Sequence, residues 1–313
     1  MQAKWNEHTT GSQLVEEYRA RIRDKVLLVT GASPPGIGHL FVLALARASP
    51  RLVILAGHNV ATLETTAGKI REINADVKVK HLGVDLGSFE SIRLASNQIN
   101  SWADVPYIDV VVNNAGVMAA PWGKTADGFE RQFGVNHLGH FLLTNLIMGK
   151  ILASQSPRVV SVSSDGHRLN PIRWTDYNFG DGAHYDKWRA YGQSKTANNL
   201  FAISLAAKFG ARGLDRFVDW GSDFDTLKAA DIVMGTRLIG GEFQHKSADE
   251  IIATHVYAAF ADDIGDFNGA YLNDCRVADQ TKEEVWPWAK DPIDAERLWS
   301  LSEKLVGEEF SWN

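Results

Sequence analysis

An α/β fold, with a single doubly wound parallel sheet carrying helices on both faces, is predicted by three observations. From Val26 onward, short β-branched or aliphatic runs alternate with stretches long enough to be crossover helices. The first run ends in a glycine-rich turn that opens a helix, Val-Thr-Gly-Ala-Ser-Pro-Pro-Gly-Ile-Gly over residues 29–38. No internal repeat, low-complexity tract or linker divides the chain, so one domain is expected over residues 25–313 behind an amino-terminal extension of residues 1–24.

Composition agrees with that class. The 313 residues are 45% hydrophobic, 22% charged and 10% aromatic, a mixture that excludes collagen-like, disordered and disulfide-scaffold proteins. Against 38 acidic residues stand 32 Lys and Arg, a net charge of −6 with no basic block to track a phosphate backbone, so nucleic acid is not an expected partner. The lone cysteine, Cys275, cannot form an internal disulfide and reads as packing, which points to a reducing, cytoplasmic setting. Residues 1–25 hold no apolar run long enough for a signal peptide or membrane span, so a soluble chain without an integral membrane segment is expected.

The elements follow in order. Leu14, Tyr18 and Ile22 recur at helical spacing behind Ser12, predicting a short amphipathic helix that leans on the body. Strands are predicted over residues 26–30, 52–56, 77–84, 108–113 and 159–163, with a later one around 270–272. Crossover helices are predicted over 37–48, 60–74, 88–102 and 129–153. A further long helix starts near Trp188, where Ala197, Leu200, Phe201 and Leu205 build an apolar face for the core or a subunit interface.

In a doubly wound sheet, ligands bind outside the carboxyl ends of the strands, so the segments after Thr30, Ala56, Val84, Asn113 and Ser163 are expected to meet in one cleft. In the first of these, Gly31, Gly36 and Gly38 let backbone approach a pyrophosphate, and the helix start offers free N–H groups to the anion. The spacing is not G-x-G-x-x-G, and no Gly-Lys-Ser/Thr follows, which argues against a nucleoside triphosphate loop. Asp85 and Asn113-Asn114-Ala115-Gly116 stand at later strand ends, where one extended dinucleotide would need them, although either can also cap a turn. Tyr191 and Lys195 are four apart at a helix start, hence on one face. A phenol that exchanges protons near neutrality needs its pKa lowered by about 3 units, roughly 4 kcal/mol, and a neighbouring cation can contribute to that. An ordinary surface pair has the same spacing.

Taken together, the segments Thr30 to Gly38, Asn113 to Gly116, Asn136-His137-Leu138-Gly139-His140-Phe141, Val160-Ser161-Val162-Ser163-Ser164 and Tyr191 to Lys195 resemble the short-chain dehydrogenase/reductase superfamily. The likeness is strongest to its retinol-dehydrogenase-like and WW-domain-oxidoreductase-like branch, of fungal type, and Asn268-Gly269-Ala270-Tyr271-Leu272 shares it. The resemblance implies a Rossmann-type fold and an oxidoreductase that interconverts a carbonyl and an alcohol on an apolar small molecule. It implies Tyr191 as general acid/base, Ser164 as the hydroxyl that holds the substrate oxygen, Lys195 as the ribose-binding residue that lowers the tyrosine pKa, and Asn136 as the amide that orders a relay water. The implied cofactor contacts are Gly31, Ser33, Gly36, Ile37, Gly38, His58, Asp85, Asn113, Ala115 and Gly116, with Tyr191 and Lys195. Related folds pair through the Tyr-Lys helix, so a homodimer is among the states the resemblance allows.

At the end of the second strand the chain reads Ala-Gly-His-Asn over residues 56–59, without the acid that would bind a ribose 2′-OH, which favours NADP(H) over NAD(H). Trp220 takes the place of the family's usual proline, and no threonine follows at the usual spacing, although Thr226 is near. This altered wall, residues 215–245, leaves a dinucleotide-binding regulatory protein with an impaired substrate site as the alternative. His137, His140, His167 and His184 lack metal-ligand spacing, so no metal site is expected. Trp286, Trp288 and Trp299 are expected to pack a late helix on the body, and no nucleophile elbow is present.

Overall fold

A computed structural model describes residues 4–210, 246–279 and 285–312, and the backbone of the strand at 215–220. Six parallel strands form the sheet: β1 (Val26–Thr30), β2 (Leu52–Gly57), β3 (Lys78–Gly83), β4 (Val110–Asn113), β5 (Arg158–Ser163) and β6 (Asp215–Trp220), in the order β3-β2-β1-β4-β5-β6. Strand order reverses between β1 and β4, which opens a crevice at their carboxyl ends. All residues of β1, β4 and β5 are buried, so these strands read as unbroken apolar runs rather than alternating ones.

The helices are α1 (Gly11–Glu17), α2 (Arg19–Ile22), α3 (Ile37–Ala46), α4 (Val60–Ile73), α5 (Phe89–Ser101), α6 (Arg131–Phe133), α7 (Gly139–Leu146), α8 (Met148–Leu152), α9 (Lys187–Phe209), α10 (Ala248–Ile251), α11 (Ala253–Phe260) and α12 (Pro292–Val306). Two apolar layers sandwich the sheet, one holding Val110 and Val112 and the other Val111, as strand alternation requires. The amino-terminal helix starts earlier than Ser12 suggests: Thr10 caps α1 in a reciprocal box with Gln13. Leu14 and Ile22 are fully buried in the layer that contains α11, so this segment is packing.

Three expectations need correction. The helix predicted over 129–153 is instead α6, a π-turn Gly134–Leu138, α7 and α8. Glu130 starts it by accepting from the N–H groups of Gln132 and Phe133, and a wide turn then carries Asn136. The sheet gains β6, which the sequence hides because charged residues interrupt its apolar ones. The late strand does not join the sheet; β7 (Leu272–Asn273) pairs antiparallel with β8 (Arg276–Val277), through Asp274 and Cys275 at φ 50° and 57°.

The long helix α9 is covered within the chain. Capped by Asp291 and ended by Gly307 at φ 72°, α12 lies along it. Trp299 packs edge-on against Phe141 with centroids 5.0 Å apart, the Ser204 hydroxyl donates to Ala295 O, and His137 Nε2 meets Ser302 Oγ at 2.8 Å. The apolar face of α9 is therefore core. Among the described residues no helix is long and apolar enough to cross a membrane.

Candidate active site and nucleotide cleft

A cavity of about 560 Å³ opens at the carboxyl ends of β1 to β4. Its floor is the glycine turn, with Gly31, Ser33, Gly36 and Ile37 in its wall. Gly31 has φ +69°, and a Cβ there would lie 2.8 Å from Ala115 Cα. No side chain caps Gly36, which leaves the first N–H groups of α3 for a ligand. Gly38 sits beneath rather than in the wall; a Cβ there would come within 2.7 Å of Gly31 O and 2.6 Å of Asn114 Nδ2. The backbone thus forms a cradle that only glycines permit, which fits a pyrophosphate-bearing dinucleotide.

The other strand ends complete the wall. His58 lines the cavity after β2, and beside it Ser33 Oγ meets Thr62 Oγ1 at 2.8 Å. After β3, Asp85 uses Oδ1 to accept from Gly87 N–H and still lines the cavity. After β4, Asn114, Ala115 and Gly116 form the wall. Asn113 does not. Its side chain turns to the opposite face and donates to Thr144 Oγ1 at 3.0 Å, because consecutive residues of an extended strand point to opposite sides. Asn114 takes the expected place and donates to Thr30 O at 2.8 Å. Sequence reasoning passed over it, although counting the alternation from Val111 would have found it.

At the end of β5, Ser164 accepts from Gly166 N–H at 3.0 Å, and its hydroxyl is near enough to the Tyr191 phenol to favour the ionised form. Tyr191 is 4% exposed, and its ring lies so close to Gly166 that a Cβ there would be 2.6 Å from Cε1. Burial pushes the Tyr191 phenol up to about 12, with the Ser164 hydroxyl opposing part of the rise. Lys195 is not among the influences on the phenol, so the lowering expected from it is not seen in the chain by itself. Lys195 Nζ lies 5.6 Å from the Tyr191 ring centroid and donates to Val162 O at 3.0 Å, where Asn198 Nδ2 also donates at 2.9 Å.

Asn136 is buried in the π-turn, and both its amide hydrogens are taken, by Val117 O and Ser194 Oγ, each at 2.9 Å. Its Oδ1 accepts from Val117 N–H at 2.8 Å. The side chain therefore ties the cavity wall to the Tyr-Lys helix, and its N–H groups are not open to order a water. Two of the histidines are structural. His140 and His167 are buried, burial holds them down at about 4 and about 3, and they bond Asn136 O and Ser164 O through Nδ1. No group of residues that could hold a metal exists among the described residues. Trp220 pairs with Ser163 at the end of the β5–β6 ladder, while Gly221, Ser222, Asp223, Thr226 and the rest of the altered wall lie outside the described residues.

With this geometry in view, comparison with known proteins is decisive. A family model described as short chain dehydrogenase matches residues 25–215. The chain belongs to the short-chain dehydrogenase family. It is 35% identical to short-chain dehydrogenase/reductase prx1 of Penicillium rubens, over 91% of this chain and 86% of that protein. It is also 35% identical to retinol dehydrogenase 12 of Mus musculus, over 92% and 88% of the two chains. The crystal structure of an uncharacterized protein from Mycobacterium paratuberculosis superposes with a TM-score of 0.73 at 30% identity, covering 93% of this chain and 96% of that one. The likeness therefore falls in the retinol-dehydrogenase-like branch of the short-chain dehydrogenases, which makes this chain a Rossmann-fold oxidoreductase that uses a nicotinamide dinucleotide and a small-molecule substrate.

Proposed function

We propose that this chain is an NADP(H)-dependent oxidoreductase interconverting a carbonyl and an alcohol on an apolar small molecule. The observation that carries this reading is that Ser164 Oγ and the buried ring of Tyr191 flank Gly166 after β5, where a Cβ would lie 3.4 Å from the hydroxyl and 2.6 Å from the ring. Burial keeps the phenol protonated at neutral pH, the state that can give a proton to a carbonyl oxygen held by Ser164. Lys195, with its ammonium near the Tyr191 ring, favours the phenolate left by that transfer. Asn136 acts as a positioning residue, because it ties Val117 in the cavity wall to Ser194 on the Tyr-Lys helix.

The glycine turn with Ser33 and Ile37 would hold the pyrophosphate, Asp85, Ala115 and Gly116 would meet the rest of the dinucleotide, and His58 would accept a 2′-phosphate. When bound, the nicotinamide ring supplies or takes the hydride, and the protein supplies orientation and the proton. The covering of α9 by α12 argues against pairing of two copies through the Tyr-Lys helix. The test is purified protein with NADPH and a panel of apolar aldehydes and ketones, followed by loss of reduced cofactor. Turnover with at least one carbonyl is expected. Tight NADPH binding with no consumption would overturn the reading in favour of a dinucleotide-binding regulatory protein.

A further inference from the structure

Along α9, the buried polar side chains are spent in a regular way. Gln193 accepts from Arg173 N–H and donates to Tyr177 O. Ser194 donates to Tyr191 O, Thr196 to Asn170 O, Asn198 to Val162 O and Ser204 to Ala295 O. Asn199 departs from this series. It is 2% exposed, and neither its Oδ1 nor its Nδ2 has a hydrogen-bond partner. A buried amide left unpaired on both atoms is destabilising, and an apolar residue of the same size would relieve it.

Asn199 lines a second cavity, of about 340 Å³, between α9, the segment around Tyr271 and the start of α12. The other walls combine apolar and aromatic residues, Ile203, Phe267, Tyr271 and Val285 among them, with the polar Asn268 and Lys290. A buried donor–acceptor pair set among apolar and aromatic walls with a few further polar groups is the usual composition of a small-molecule site. The amide presents an N–H and a C=O side by side, and the group that satisfies both at once is another carboxamide.

We propose that this cavity is a second small-molecule site, distinct from the nucleotide cleft, which takes a neutral aromatic or apolar molecule bearing a carboxamide that pairs with Asn199. Its wall is tied to the candidate catalytic loop. The Tyr271 ring lies 5.3 Å from that of His167, and His167 Nδ1 is 2.7 Å from Ser164 O. Trp288 Nε1 donates to His167 O at 3.0 Å from the segment that carries Val285 and Ala289 into the cavity wall. Occupancy of the site is thereby coupled to the loop that carries Ser164 and Gly166.

The test uses the NADPH-saturated protein, so that the nucleotide cleft is filled, titrated with benzamide in a calorimeter. Benzamide is expected to bind the wild type, to bind Asn199→Leu at least about tenfold more weakly, and to lie in a crystal structure with its carboxamide paired to Asn199. Should Asn199→Leu fail to fold, Ile203→Phe fills the cavity from its far side and is expected to weaken binding likewise. Equal affinity for wild type and variant would overturn the proposal. So would no binding by the wild type with only ordered water on the two amide atoms.

Discussion

The Thr30 hydroxyl lies 2.8 Å from His140 Nε2 and orders the whole cradle. Its oxygen accepts from the N–H groups of Asn114 and Ala115, at 3.0 and 2.9 Å, and its hydrogen goes to the histidine at 2.8 Å in preference to Val112 O at 3.4 Å. His140 is kept neutral by burial, so Nδ1 carries the proton and donates to Asn136 O while Nε2 accepts. One hydroxyl at the end of β1 thus joins the β4 turn to the π-turn. Thr30→Val should cost about 2–4 kcal/mol by leaving two amides unpaired, whereas Thr30→Ser should stay within about 1 kcal/mol of wild type. Urea denaturation measures both; equal stability of Thr30→Val and wild type would contradict this wiring.

Acid should weaken the fold before its carboxylates titrate. His137, His140 and His167 are held at about 3, about 4 and about 3 by burial, against about 6.5 in the unfolded chain. Depressed values mean that the unfolded chain binds protons the folded one refuses. Stability is therefore complete above pH of about 6.5 and falls as the pH drops from there toward the folded values, by up to about 1.4 kcal/mol per unit for each histidine. Denaturation midpoints between pH of about 7.5 and 5 check this, and a flat profile across that window would refute it.

Gly166→Ala should damage chemistry more than folding. The added Cβ would lie 2.6 Å from Tyr191 Cε1 and 2.8 Å from Cδ1, so the phenol must shift relative to Ser164. A displacement of that kind lowers kcat by about 100-fold. Steady-state kinetics beside thermal melting separate the two effects, and unchanged kcat would mean that the Tyr191 position is not critical.

His58→Asp should exchange the cofactor preference. A carboxylate beside the cavity repels a 2′-phosphate and can accept from a ribose 2′-OH. NADPH affinity should fall at least about tenfold and NADH affinity hold or rise. Fluorescence titration with each cofactor decides it, and equal losses for both would remove His58 from the 2′-phosphate site.

Much of this was legible in sequence, for identifiable reasons. Strands β1, β4 and β5 are runs buried on both faces, and Gly31 and Gly38 stand where no Cβ fits. Asn113 misled because both asparagines of the turn have the same chemistry and only the pleat separates them, sending one to Thr144 and the other to Thr30. The break after Phe133 was hidden because a π-turn has no distinct apolar period. Neither the burial that raises the Tyr191 phenol nor the closeness of Gly166 to its ring is encoded locally; both arise when the β5 loop folds over α9.

The most direct test of the account is Tyr191→Phe, assayed for NADPH binding and for carbonyl reduction in the same preparation. Loss of the phenolic proton donor with the ring kept in place should leave NADPH affinity unchanged and lower kcat by about 10²–10⁴-fold. Turnover equal to wild type would contradict the account, because the Ser164–Tyr191 pair would then not carry the proton.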